Sequence, residues 1–214
     1  MSPGRRAILP SLAGAPWLCG PHLAAVIAAL KGEGGDARVV GGAVRNALLA
    51  RPVHEIDVAT DVTPPEVVRL CEAAGLKVVA TGIEHGTVTV IADGEPFEVT
   101  TLRRDVETDG RRAVVAFTVD WAEDARRRDF TINALYADLD GTLHDPIDGY
   151  PDIVAHRVRF IGDPHDRIKE DYLRILRLFR FHAELGRGEP DEAGISAASE
   201  LRGGLAGLSR ERVI

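Results

Sequence analysis

The segment RVVGGAVRNALLARPVHEIDVATD, residues 38–61, constrains the fold more than any other part of the chain. A short apolar run ends at two glycines, an apolar-rich stretch follows, and a second run carries Glu55 and Asp57 one residue apart. This order predicts a strand, a glycine turn, a short helix and a second strand. Such a unit cannot bury its apolar faces alone, so it needs further strands and helices around it.

The neighbouring sequence continues this alternation. Helices are predicted at 21–31, from about 43, and at 64–74, and strands at 37–40, 54–59 and 76–80. Residues 87–91 and 97–102 predict a hairpin, because Asp93-Gly94 between them suits a tight turn. The charged residues 106–112 predict a mobile loop, and the pattern after about 150 is mainly helical. The predicted fold class is α/β (α+β), a small mixed sheet with helices packed on it.

Gly41 and Gly42 lie where the first strand is expected to turn into a helix. Backbone without a side chain can approach a ligand closely, and a helix start offers unpaired N–H groups to an anion. Arg45, one turn into that helix, would add a charge-assisted bond to a phosphate. Two glycines also make an ordinary tight turn, so the pattern alone leaves both interpretations open.

Glu55 and Asp57 have a spacing that predicts two carboxylates on one face of a strand. Two like charges this close repel unless a cation lies between them, and hard oxygen ligands of this kind suit Mg²⁺. Glu98 alternates with apolar neighbours on the predicted hairpin and is a candidate third ligand of a two-metal site. The alternative for the pair is a solvated polar strand face, and for Glu98 an ordinary exposed strand residue.

Composition and charge limit the partners and the cellular compartment that we expect for the chain. Its 214 residues carry a formal net charge of −7, so any attraction to nucleic acid must come from a local basic surface. Cys19 and Cys71 have neither metal-ligand nor disulfide-framework spacing, which predicts two buried thiols in a reducing compartment. No run approaches the roughly 20 apolar residues that span a bilayer. We therefore expect a cytoplasmic protein with no membrane partner.

Two further stretches carry concentrated charge. Arg126, Arg127 and Arg128 precede Asp129, where a helix is predicted to start, and three cations together suit a triphosphate. EDYLRILRLFRF, 170–181, predicts one amphipathic helix. Its apolar stripe would hold Tyr172, Ile175, Leu176, Phe179 and Ala183, and its other half Asp171, Arg174, Arg177 and Arg180. The alternatives are an exposed charge run and a solvated helix face.

These motifs, in this order, resemble those of one family. The glycine pair, short helix and acidic pair resemble the polymerase-β-like nucleotidyltransferase palm. RRRDFTINAL (126–135), HDPIDGYPD (144–152) and EDYLRILRLFRF then resemble successive motifs of the bacterial class II tRNA nucleotidyltransferase and poly(A) polymerase family, which includes the CCA-adding enzymes. The resemblance covers roughly residues 36–214. It implies transfer of a nucleoside monophosphate from CTP or ATP to a tRNA 3′ end, with Mg²⁺ and release of pyrophosphate.

The resemblance also implies roles for single residues. Arg128 would line the nucleotide site and Asp129 would lie near the ribose. Asp171 and Arg174 would read the incoming base, since a carboxylate accepts from the exocyclic amine that cytosine and adenine share, and a guanidinium donates to their ring acceptors. Arg177 and Arg180 would lie deeper, near the triphosphate or as structural support.

The same resemblance predicts how the chain is organised. A head domain would span residues 1–140 and a helical neck 141–214, and the family continues into further helical domains that hold tRNA. The family usually has aspartate at the position of Glu55. Two alternatives stay open: a poly(A) polymerase with the same chemistry on other RNAs, and a non-catalytic module that binds nucleotide or RNA.

Overall fold

A mixed sheet forms the centre of the fold. The computed structural model describes residues 8–80, 82–108 and 113–213. The strands in these ranges are β1 Ala37–Val40, β2 Asp57–Thr60, β3 Lys77–Val79, β4 Thr87–Ala92, β5 Glu95–Thr101, β6 Arg103–Thr108, β7 Ala113–Phe117, β8 Tyr136–Ala137 and β9 Leu143–His144. Seven of these described strands are hydrogen-bonded in the order β3-β4-β5-β2-β1-β8-β9, and β6 pairs with β7. The pair β2–β5 is parallel, and the other pairs of described strands are antiparallel.

Helices cover both faces of this sheet. They are α1 Pro21–Lys31, α2 Gly42–Leu48, α3 Pro64–Ala73, α4 Trp121–Arg127, α5 Tyr150–Val154, α6 Pro164–Glu170, α7 Leu173–Leu185, α8 Glu192–Leu201 and α9 Arg210–Val213. Helices α1 and α3 pack on one face, where Val26, Val67 and Val90 belong to the main core. On the other face, Ala125 of α4 packs with Val40 in a smaller apolar cluster. The mixed α/β class predicted from the sequence is confirmed.

The hairpin prediction is confirmed in its turn as well as its strands. Strands β4 and β5 pair along their whole length, and the turn residues Asp93 and Gly94 have φ angles of 49° and 85°. Two successive positive φ angles are those of the turn whose twist suits a hairpin, which explains the Asp-Gly sequence.

Several predicted boundaries need correction. The second strand begins at Asp57, not at residue 54, so Glu55 precedes it. The predicted mobile loop is wrong for residues 106–108, which continue β6, while residues 109–112 lie outside the described residues. Cys71 is buried as expected, but Cys19 is exposed, because it lies in the turns that precede α1.

The helix predicted across 170–181 is broken. Helix α6 ends at Glu170, Asp171 has extended backbone with φ −156° and ψ 108°, and α7 begins at Leu173. The predicted apolar stripe is also wrong, since Phe179 is 51% exposed. The buried residues of α7 are Ile175, Leu178, Phe181 and Leu185.

Those four buried side chains belong to the same apolar core as the sheet. The core therefore runs without interruption from the sheet into α6, α7 and α8, which fixes these helices against the head. Strand β9 carries the sheet to His144, just past the predicted boundary at 140, and the division into head and neck stays a prediction. Within the described ranges, no helix has the length and apolar character needed to cross a bilayer.

Candidate active site

One open cleft of about 590 Å³ gathers most of the residues that the sequence singles out. It lies between α7 and the end of the sheet where β1 ends and β2 begins. The predicted residues that line it are Gly41, Gly42, Arg45, Glu55, Asp57, Arg128, Asp129, Asp171, Arg174, Arg177 and Arg180. Glu98 lines an adjoining pocket of about 430 Å³, which shares Glu55 and Asp57 with the cleft. The two spaces therefore meet at the acidic residues.

The glycine turn lies beside the acidic strand because of strand register. Val40, the last residue of β1, is paired with Asp57, the first residue of β2. Gly41 follows with φ 72° and ψ −122°, a conformation that a residue with a side chain rarely adopts. A Cβ at this position would lie 3.8 Å from Nη1 of Arg128. The turn thus presents bare backbone to the cleft, with Arg128 next to it.

Three carboxylates lie near the start of β2: Asp57 on β2, Glu98 on the neighbouring β5, and Glu55 just before β2. Asp57 is directly opposite Glu98 in the parallel pair β2–β5, so the two side chains share a face. Glu55 lies just before β2, so the period-two argument from the sequence does not apply to it. Partial loss of water raises the pKa of Asp57, and Glu98 and Glu55 raise it further, while Arg128 lowers it. The acidic groups are therefore close enough to repel one another.

This donor set fits a divalent cation in part. Exposed carboxylates that repel each other gain stability from a hard cation, and Mg²⁺ needs only one or two of them beside water and phosphate oxygens. Within residues 8–80, 82–108 and 113–213, however, no three His, Cys, Asp or Glu side chains converge as a ready-made metal cluster. The arrangement suits an Mg²⁺ ion that binds together with a phosphate group, whose oxygens complete its coordination.

The three arginines predicted to precede a helix lie at the end of one. Helix α4 ends at Arg127, Arg128 is its C-terminal cap, and only a single 3-10 turn, Thr131–Asn133, follows. The expectation that Asp129 begins an α-helix is therefore wrong. Asp129 lies in the connection between the end of α4 and this 3-10 turn. Arg126 is exposed, whereas Arg127 and Arg128 both bond to Asp124 of the same helix.

Asp129 connects the sheet to α7. Its Oδ1 accepts hydrogen bonds from the Phe130 amide and from Asn133 Nδ2. Its Oδ2 accepts from Arg177, at 2.7 Å from Nε and 2.6 Å from Nη2. This ion pair holds α7 across the floor of the cleft, so both residues have a structural role whatever the ligand.

Asp171 and Arg174 lie at the break between α6 and α7. The Oδ1 atom of Asp171 accepts from the Leu173 amide at 3.0 Å and so caps α7, and its Oδ2 accepts from Arg212 at 2.9 Å. Arg174 donates from Nη1 to Glu170 at 2.6 Å and from Nη2 to the carbonyl of Arg127 at 3.3 Å. Because Asp171 lies outside the helix, the two residues do not share a helix face as predicted, although they line the same cleft.

Arg45 is bound to protein groups, which is not expected of a side chain that is free to bind a phosphate. It is 8% exposed, donates from Nη1 to Asn133 Oδ1 at 2.6 Å, and lies with its guanidinium 5.1 Å from the ring centre of Phe181. Arg180 is exposed, and its guanidinium also lies 5.1 Å from the centre of the Phe181 ring. Arg45 therefore joins α2 to α7, and Arg180 is the freer cation of the two.

Sequence reasoning missed several lining residues. They are Asn133, Leu173, Phe181 and Glu184, whereas Arg127, one of the three predicted cations, also lines the cleft. Asn133 lies within the RRRDFTINAL motif and contacts both Arg45 and Asp129, so the motif itself was a signal for it. The other three carry no local pattern that separates them from ordinary helix residues. Six arginines line the cleft in a chain of net charge −7, which is the local basic surface that the composition required.

Comparison with known proteins agrees with this geometry. The family described as the poly(A) polymerase head domain matches residues 37–159, more than half of the chain. Over 183 residues the chain is 48% identical to the mitochondrial CCA tRNA nucleotidyltransferase 1 of Danio rerio, covering 83% of this chain and 42% of that protein. The chain thus spans less than half the length of this relative.

Two solved structures are similar over most of the chain. The CCA-adding enzyme of Bacillus stearothermophilus in complex with CTP has a TM-score of 0.80 at 37% identity, covering 89% of this chain and 45% of that one. A tRNA nucleotidyltransferase complexed with a primer tRNA and an incoming ATP analogue has a TM-score of 0.70 at 27% identity, covering 88% and 54%. The resemblance found in the motifs is confirmed, and the chain belongs to the nucleotidyltransferase family of the poly(A) polymerase head domain.

Proposed function

We propose that this chain is the catalytic part of a CCA-adding tRNA nucleotidyltransferase, which transfers CMP, AMP or both from CTP and ATP to the 3′ end of tRNA. The observation that carries the proposal is the single cleft in which Asp57, the Gly41 turn and Arg174 face one another. The relatives support it, because one was solved with CTP and another with a primer tRNA and an ATP analogue.

The proposed reaction is a phosphoryl transfer. The 3′-hydroxyl oxygen of the RNA bonds to the α-phosphorus of the nucleotide, the bond to the β-phosphate breaks, and pyrophosphate leaves. Two Mg²⁺ ions held by Asp57, Glu98 and Glu55 would activate the hydroxyl and neutralise the charge on the departing group. Arg128 beside the glycine turn would bind the triphosphate, and Arg177 and Arg180 would support it from α7.

Selection of the base is proposed for Asp171 and Arg174. The Asp171 carboxylate would accept from the exocyclic amine of cytosine or adenine, while Arg174 would donate to a ring acceptor. Guanine and uracil present the opposite pattern at these positions. Both side chains are bonded to protein groups in the structure. A nucleotide base that binds Asp171 would therefore replace at least the hydrogen bond from Arg212.

The experiment uses the full chain, Mg²⁺, labelled CTP or ATP, and two RNAs: a tRNA without its terminal CCA and an unrelated single-stranded RNA. The proposal predicts that one to three nucleotides are added to the tRNA and very few to the other RNA. Long adenylate tails on both RNAs would favour a poly(A) polymerase. Nucleotide binding without transfer would identify a non-catalytic module.

We also propose that the chain divides into a head, residues 1–140, and a neck, residues 141–214.

We further propose a cytoplasmic location, because the cysteine usage supports a reducing compartment. One relative carries a mitochondrial name, so cell fractionation with an antibody to this chain is the test. Recovery with mitochondria would overturn the proposed location.

A further inference from the structure

Asp124 is a buried carboxylate that the sequence did not single out. It lies on α4 with its side chain 1% exposed. Its Oδ1 accepts from Arg127 Nε at 2.8 Å, and its Oδ2 accepts from Arg128 Nη2 at 2.9 Å and Nε at 3.1 Å. The hydroxyl of Tyr136 donates to Oδ2 at 2.8 Å. One carboxylate thus binds two guanidinium groups and a phenol.

The two arginines held by Asp124 line the proposed nucleotide site. Arg128 uses Nε and Nη2 for Asp124, which leaves Nη1 beside Gly41. The guanidinium also lies 5.4 Å from the ring centre of Tyr136, so it is fixed from two sides. Without Asp124, the contact with the Tyr136 ring would remain, but both hydrogen bonds that set the direction of Nη1 would be lost.

The carbonyl of Arg127 gives Asp124 a second connection to the cleft. Arg127 is tied to Asp124 through its side chain, and its carbonyl accepts a hydrogen bond from Arg174 at 3.3 Å. The end of α4 therefore contacts the proposed base-reading residue as well as the proposed phosphate ligand.

Asp152 provides a matched comparison within the same chain. It is also buried, at 0% exposure, and it also binds two arginines and one hydroxyl, those of Arg157, Arg159 and Thr131. Neither Asp152 nor its three partners line the cleft. Removal of either carboxylate leaves two arginines without their buried partner, which destabilises the fold in both cases. Arg157 and Arg159 are 49% and 43% exposed, against 15% and 18% for Arg127 and Arg128, so water can replace more of the lost contact at Asp152 and the cost should be smaller there. Asp152→Asn is therefore a control for the loss of a buried carboxylate, and the unfolding free energy of both variants is measured beside CTP binding.

We propose that Asp124 is a positioning residue for nucleotide binding: it orients Arg128 so that one guanidinium nitrogen points at the triphosphate beside the glycine turn. The inference rests on the proposed function, because it takes the cleft to bind a nucleoside triphosphate. It adds a residue outside the cleft lining that acts through Arg128.

The test measures the dissociation constant of CTP with Mg²⁺ by calorimetry for the full chain and for Asp124→Asn, Asp152→Asn, Arg128→Ala and the double variant of Asp124 and Arg128. Asp124→Asn should weaken CTP binding about tenfold, the loss expected for one charge-assisted hydrogen bond. Asp152→Asn should change it less than twofold. In the Arg128→Ala background, Asp124→Asn should add less than twofold, because its effect passes through Arg128.

Equal effects of Asp124→Asn and Asp152→Asn on CTP binding would overturn the inference, as would a full additional loss in the Arg128→Ala background. If Asp124→Asn does not fold, Asp124→Glu replaces it, since it keeps the charge but displaces the carboxylate by one methylene. That variant should still weaken CTP binding, and unchanged binding would overturn the inference. Failure of the unmodified chain to bind any nucleotide would instead overturn the proposed function, and the inference with it.

Discussion

Asp57→Asn should separate catalysis from folding more clearly than any other substitution. Asp57 is opposite Glu98 across β2–β5, and both Glu98 and Glu55 disfavour its charge. Interactions between exposed charged side chains are worth about 0.2–1 kcal/mol, because water screens them, and here the interaction is repulsive. The variant should therefore gain about 0.5 kcal/mol in free energy of unfolding, which in a chain of this size raises Tm by about 1–2 °C.

The same variant should lose transfer activity. If Asp57 holds Mg²⁺, its loss should cost about 3 kcal/mol of transition-state stabilisation, or about a hundredfold in rate. Mg²⁺ together with CTP should raise the Tm of the unmodified chain, because ligands that bind only the folded state stabilise it. That increase should be much smaller in the variant.

The assay pairs thermal melting with gel-resolved nucleotide incorporation on one tRNA. Asp93→Asn is the control, since it removes an exposed carboxylate from the β4–β5 turn of the same sheet and should keep full transfer. Transfer by Asp57→Asn within tenfold of the unmodified chain would refute the metal role. A loss of more than about 1 kcal/mol in stability would refute the repulsion deduced from the strand register.

Three other substitutions test neighbouring parts of the account. Gly41→Ala should lose about 1–3 kcal/mol in urea unfolding because of its positive φ. Gly42→Ala should change little, because its φ is not positive and the added Cβ would make only an ordinary contact, 3.7 Å from Nη2 of Arg45, and equal losses would contradict the assigned turn. Glu55→Asp should keep or raise the transfer rate if Glu55 is a metal ligand, and a hundredfold loss would show that the site requires glutamate. Arg127 and Arg128 hold the pKa of Asp124 below its usual value, so Asp124 stabilises the fold above its unfolded-state pKa and that contribution is lost as pH falls through the folded-state value. The unfolding free-energy difference between Asp124→Asn and the original chain should therefore be full at pH 7 and shrink in acid, and a constant difference would contradict the ion pairs.

The sequence predicted those parts of the fold that local pattern determines. The strand ending at Val40, the helix at Pro21–Lys31 and the Asp93-Gly94 turn all depend on neighbours within a few residues, and the structure confirms them. Eleven of the twelve predicted site residues line one cleft, because the motifs lie at strand and helix ends that the register brings together. The roles of these residues stay predictions until they are tested.

The parts that sequence could not predict depend on tertiary contacts. Residues 170–181 contain neither glycine nor proline, and seven of the twelve are good helix formers. The break at Asp171 is stabilised by its bonds to the Leu173 amide and to the distant Arg212. The predicted apolar face of α7 is wrong because its apolar residues occupy more than one side, and only packing into the apolar core selects Leu178 over Phe179. Asp124 was missed because a buried charge is recognised by its partners and not by its spacing.

The ratio of kcat/KM values for CTP, ATP, UTP and GTP on tRNA lacking its terminal CCA decides whether the cleft selects the base that it transfers. If one cleft both transfers the nucleotide and reads its base through Asp171 and Arg174, two polar pairings of about 1–3 kcal/mol each should favour CTP and ATP by about a hundredfold or more. Arg174→Ala should reduce that preference while UTP and GTP change little. Equal use of all four nucleotides by the unmodified chain, or a uniform loss in Arg174→Ala, would contradict the account.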